Sequence, residues 1–150
     1  MSFSLDYKVL DAGWAEVRIS DGSTIVEGDV SYLHDSLKEL AQMAINLRRG
    51  IEYSRVVFMD EPPEIQLHVK LVGEEVTYEV RHFPDWESWG FWDPSDFHVS
   101  LKGSIDRQTV IDEVVDVLRD IHENVGVEKY KDLWIEHDFP MNEFDILTGA

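Results

Sequence analysis

The stretch Ile65 to Phe83, IQLHVKLVGEEVTYEVRHF, limits what this chain can fold into more than any other. Ile65, Leu67, Val69 and Leu71 alternate with Gln66, His68 and Lys70, and Val76, Tyr78 and Val80 alternate with Thr77, Glu79 and Arg81. A period of two is the mark of strands buried on one face. Between the two runs stands Gly73-Glu74, and a glycine there supplies the positive φ that opens a type II′ turn. A two-residue loop at this point pairs Val72 with Glu75. Counting outward, Leu71 faces Val76, Val69 faces Tyr78, Leu67 faces Val80, and on the other side His68 faces Glu79. A slip of one residue would turn every apolar side chain to the wrong face, so pattern and turn select one register. The apolar set is expected to face helices, with Gln66, Lys70, Thr77 and Arg81 facing away.

Other elements arrange themselves around this hairpin. The first thirty residues read as a three-stranded meander: Phe3 to Val9, a turn at Asp11-Ala12-Gly13, Trp14 to Ser20, and a return through Val30. Asp21-Gly22 is read as a two-residue hairpin loop that sets Val17 opposite Val26. Ser31 is the expected N-cap of a helix reaching Arg49, with Leu37, Leu40, Ala41, Ala44 and Leu47 on one stripe. Tyr53 to Met59 is the next strand, and its run Val56-Val57-Phe58-Met59 predicts burial on both sides. Phe97, Val99 and Leu101 belong to a last strand. A second helix, Asp106 to Val125, carries Val110, Val114, Val117, Leu118 and Ile121 and ends at Gly126. The expectation is an α+β fold: a largely antiparallel sheet of six to seven strands in two meanders, with two main helices packed on one face.

At 150 residues and 43% apolar content the chain is long enough to bury a core unaided, and residues 1–150 are expected to form a single domain. The absence of cysteine removes disulfides, thiolate chemistry and zinc-ribbon sites from consideration. The six histidines are scattered, without a spacing that suits a metal. Phosphate-cradling glycine loops and a GxSxG elbow are likewise missing, so neither metal nor cofactor is expected. The N-terminus has no basic-then-apolar leader and no apolar run is long enough to cross a bilayer, which points to a soluble cytoplasmic protein. Thirty-one acidic residues against thirteen basic ones give a net charge of −18. Such a field disfavours nucleic acid and anionic membranes and attracts a basic protein.

Function is sought in two places. Three of the five tryptophans fall in the segment Trp86 to Trp92, between Pro84 and Pro94. Trp86, Trp89, Phe91 and Trp92 there are either a lid on an open end of the core, with paired indole N–H groups, or an aromatic anchor for a protein partner. The second place is the outer side of the last helix, where Asp112, Asp116 and Asp120 stack at four-residue spacing as a solvated face or a docking stripe. An enzymatic alternative places His82, His98, Asp93 and Asp96 around a pocket lined by the same tryptophans. His82 stands out there, because it falls on the apolar face opposite Ile65.

Tyr32-Leu33, Asp35, Leu37 and Leu40, the Glu61-Pro62-Pro63-Glu64 turn, and Tyr130, Trp134, His137 and Phe139-Pro140 together resemble a group of small bacterial proteins of unassigned function. In size, acidity and strand and helix content the chain is also similar to immunity proteins of bacterial toxin systems. That likeness is compositional and implies a toxin-like protein partner and no catalysis.

Overall fold

Tight turns between alternating strands produce two antiparallel meanders. In the computed structural model, which describes residues 2–149, β1 (Ser4–Val9), β2 (Trp14–Ser20) and β3 (Ile25–Ser31) pair in that order. The four strands β4 (Tyr53–Met59), β5 (Glu64–Val72), β6 (Glu75–Phe83) and β7 (His98–Asp106) form a second sheet, also in chain order. Helix α1 (Ser36–Arg48) joins the meanders. Helix α2 (Arg107–Asp120) follows the second, is prolonged by a π-helical turn over Ile121–Val125, and leads into α3 (Val127–Trp134) and α4 (Met141–Thr148). The α+β class, the seven antiparallel strands and the two main helices match the sequence expectation, with the strands divided between two sheets.

The central hairpin has the register its sequence specifies. Leu71 pairs with Val76, Val69 with Tyr78, Leu67 with Val80 and His68 with Glu79, across a turn where Gly73 sits at φ +64°. The first meander differs. Ser20 pairs with Ile25, so the loop has four residues, and Val17 meets Gly28 while Ile19 meets Val26. The Asp21 side chain explains the correction, because its carboxylate accepts the N–H groups of both Ser23 and Thr24 at 2.8 Å and holds the longer loop. The start of α1 also moves. Ser31 ends β3, and the N-cap is Asp35, whose carboxylate accepts from the Lys38 N–H.

Helices α1 and α2 lie side by side, α1 along β4 and α2 against β1 and the second sheet. Leu37, Leu40, Ala44 and Leu47 of α1 and Val110, Ile111, Val114 and Leu118 of α2 are buried in the same cluster as Leu67, Val69, Val76, Tyr78 and Val80. The two sheets approach closely at β3. A Cβ on Gly28 would stand 2.6 Å from Ile65 Cδ1, so a larger residue there would require the Ile65 side chain to shift. Two edges are sealed by helix side chains. Glu39 accepts the Val57 N–H at 2.5 Å while the Ser36 hydroxyl donates to the Val57 carbonyl at 2.6 Å, and Glu113 accepts the Leu5 N–H at 2.9 Å. Such plugs remove the free ladder groups that invite another strand.

Candidate functional site

Between β6 and β7 the chain leaves the sheet at Phe83-Pro84 and folds the tryptophan segment back over the face turned away from the helices. A single 3-10 turn, Glu87–Trp89, is closed by Gly90 in the left-handed conformation, and the Trp86 carbonyl accepts the Phe91 N–H at 2.9 Å. Trp86 is the inner ring. Its indole N–H donates to the Asp60 carbonyl at 2.7 Å, with Trp89 packed edge-on at 4.9 Å between ring centroids and Phe91 at 6.4 Å. Trp89 and Phe91 are presented to solvent, at 47% and 61% exposure. Trp92 turns aside, half-buried, and donates its indole N–H to the Asp96 carbonyl. Trp86 is thus fixed within the loop through its paired indole N–H, and Trp89 and Phe91 stand outside it.

What the loop covers is polar. Glu64, Gln66 and His68 alternate along β5 on the side away from the core, and all three are buried. The Glu64 carboxylate accepts the Ser88 hydroxyl at 2.5 Å, the Ser88 N–H at 3.1 Å and the Gln66 side-chain amide at 2.6 Å. The same amide nitrogen donates to Glu87 at 2.7 Å, and Arg55 donates to Glu87 at 3.2 Å. With its nitrogen committed to carboxylates, the Gln66 amide offers its oxygen to His68 Nε2–H at 2.7 Å. His68 Nδ1 is then the acceptor, and the Tyr53 hydroxyl donates a hydrogen bond to it. Burial pushes the His68 pKa down to about 4, helped by the positive charges of Arg81 and Arg55 and opposed by Glu87. The imidazole is neutral at pH 7.

Beside His68 the sheet surface opens into a cavity of about 210 Å³ lined by Tyr53, Lys70, Thr77, Glu79 and Arg81. Arg81 bonds Glu79 at 3.1 Å and lies 4.4 Å over the Phe97 ring, which ties the far end of the loop to β6. Next to the Trp86 anchor the surface is acidic. Burial raises the Asp60 pKa, and the neighbouring Asp29 and Glu61 carboxylates raise it further against the lowering effect of the Glu61 N–H. A larger cavity, about 550 Å³, lies elsewhere, at Asp35, His137 and Phe139. His137 donates through Nε2 to the Tyr32 carbonyl at 2.9 Å and turns Nδ1 to Asp35 at 3.7 Å, while burial raises the Asp35 pKa.

The remaining sequence candidates are dispersed. Asp112, Asp116 and Asp120 are exposed on α2, with Gln108 donating to Asp112 and Asn124 to Asp120. They belong to a different face from the loop's β4–β5 anchor, near β1, where Asp116 and Asp120 border a cleft with Leu5, Tyr7 and Lys8. His82 and His98 are cross-strand partners, but His98 is exposed and His82 carries a buried Nε2 with no protein hydrogen-bond partner. Asp93 and Asp96 are exposed, and Asp93 is held by the Ser95 N–H and hydroxyl, which lower its pKa. Among the described residues no cluster of three or more His, Asp or Glu is placed to hold a metal ion. No helix among them is long and apolar enough to cross a membrane. The Glu64–Gln66–His68 row escaped sequence reading because polar residues at alternate strand positions look like a solvent face. The one available signal was the dense, acid-and-serine-bearing loop that follows in the chain.

No protein-family model and no curated protein matches this sequence. Among solved structures the chain is similar to one in the CdiA-CT/CdiI toxin and immunity complex from Enterobacter cloacae, at 14% identity and a TM-score of 0.47, covering 79% of this chain and 99% of that chain.

Proposed function

We propose that this is a protein-binding domain whose contact surface is centred on Trp89 and Phe91, with Trp86 and Trp92 supporting them from within the loop. One observation carries the reading: two large aromatic side chains are presented to solvent by a loop that is fixed from beneath by a buried hydrogen-bond network. Rigid, exposed aromatics are the usual anchors of interfaces, because they add apolar area at a low cost in side-chain entropy. The carboxylates of Asp29, Asp60 and Glu61 beside the loop, and the −18 net charge, favour a basic partner and fast, salt-dependent association. Asp112, Asp116 and Asp120 add to that field from another face and steer the encounter. The composition shared with immunity proteins makes a basic toxin-like protein the first partner to try, in the cytoplasm of the producing cell.

The test is a paired capture from the native host, with the unaltered chain and the Trp89→Ala/Phe91→Ala variant as baits. A protein retained by the first and lost from the second, when both baits melt at similar temperatures, supports the proposal. Equal retention by both would refute it.

A further inference from the structure

A sheet face that only had to be covered would carry apolar residues, yet β5 buries a full carboxylate beneath the tryptophan loop. Glu64 has no solvent exposure, and no basic side chain lies in a salt bridge with it among the described residues. Its oxygens are instead matched by two donors from a single loop residue, the Ser88 N–H at 3.1 Å and hydroxyl at 2.5 Å, and by Gln66 at 2.6 Å. Ser88 is the middle residue of the 3-10 turn that ends at Trp89. A second tether runs parallel, from Gln66 and Arg55 to Glu87 one residue earlier. Both tethers converge on the two residues immediately before the exposed indole. A buried carboxylate is costly unless its lone pairs are satisfied, so the closed loop is held in the one placement that keeps the Ser88 donors on Glu64.

We propose that Glu64 is the positioning residue of the binding surface: it locks the Glu87–Trp89 turn onto β5 and so presents Trp89 and Phe91 in a preformed arrangement. Its consequence for binding rests on the function proposed above, whereas its effect on the loop stands independently. A preformed loop spares the ordering cost at the moment of contact, which places the gain in affinity outside the contacts themselves.

Hydrogen exchange measured residue by residue on the whole chain tests this. In Glu64→Gln the amide presents a donor where Ser88 and Gln66 also donate, and in Ser88→Ala the hydroxyl tether alone is removed. Hydrogen bonds to charged groups correspond to roughly ten- to a hundredfold in an opening equilibrium. The Gly90 and Phe91 amides, which close the turn onto Glu87 and Trp86, are therefore expected to exchange about tenfold or more faster in both variants. Ladder amides of β5 and β6 should keep their rates. The double variant should exchange no faster than the faster single one, because both substitutions break the same link. Unchanged loop exchange in Ser88→Ala would overturn the assignment even if Glu64→Gln failed to fold. A uniform rise across the sheet would overturn it as well, by showing that Glu64 only stabilises the domain. If the loop loosens as expected but Trp89→Ala/Phe91→Ala still captures the same partner, the positioning role survives and the proposed binding surface falls.

Discussion

At the scale of single residues, the two faces of β5 obey different physics. Val69 is buried on the core face opposite Tyr78. Cutting it to alanine removes two methyl groups and should cost about 1–3 kcal/mol, a fall in melting temperature of several degrees for a domain of this size. Thermal denaturation checks this, and an unchanged midpoint would contradict the placement. On the opposite face His68 is kept neutral by burial and by Arg81 and Arg55, its pKa lowered from the ordinary 6.5 to about 4. Above pH 6.5 the imidazole is neutral both folded and unfolded and contributes no pH dependence. As the pH falls from about 6.5 to about 4, the unfolded chain takes up this proton while the folded one does not, so stability declines through that window. His68→Gln should show a shallower loss of melting temperature between pH 7 and pH 4.5 than the parent. Parallel pH curves for the two proteins would show that His68 does not titrate as its surroundings require.

At the scale of elements, the tryptophan loop divides into a support and a display. Trp86, with its N–H bonded to Asp60 and two rings packed against it, should cost about 2–3 kcal/mol when truncated to alanine. Trp89→Ala and Phe91→Ala, at half-exposed positions, should each cost under about 1 kcal/mol. Urea denaturation of the three variants measures this directly, and similar losses in all three would mean that the loop is a lid throughout. The central hairpin was readable in the sequence because a glycine-led two-residue turn and strict alternation agree on one register. The β2–β3 register was not, because Asp21-Gly22 looks like a two-residue loop until the Asp21 carboxylate is seen to gather the next two N–H groups. Ser31 misled in the same way: a hydroxyl before an apolar stripe suggests a cap, but Asp35 supplies it one turn later. Legibility ended at the polar face of β5, whose burial depends on a loop that begins about twenty residues downstream and returns over it. Local pattern records which face a side chain takes and carries no information on what will cover that face.

At the scale of the whole molecule, the charge of −18 is carried with few compensating pairs. Arg18–Glu27 and Lys131–Asp138 are exposed bridges of the kind worth little. Self-repulsion should make the isolated chain more stable as salt screens it, so raising sodium chloride from low to physiological concentration should raise the melting temperature. The same salt should slow association with a basic partner, and opposite responses of stability and association rate are the signature of a field kept for encounter at a cost in stability. A stability that falls with salt would assign the acidic residues to attractive networks instead. Under the proposed function, charge would bring a basic surface near, and Trp89 and Phe91 would determine whether it stays. Whether these rings form the contact is tested by the fluorine NMR spectrum of the protein labelled with 5-fluorotryptophan, recorded with and without a captured partner. Each of the five tryptophans gives one resonance, assigned by single Trp→Phe changes. The Trp89 resonance should respond to the solvent isotope in the free protein and move on binding, while that of Trp134, fully buried in the core, should do neither. A Trp89 resonance as insensitive to solvent and partner as that of Trp134 would rule out Trp89 as part of the contact surface.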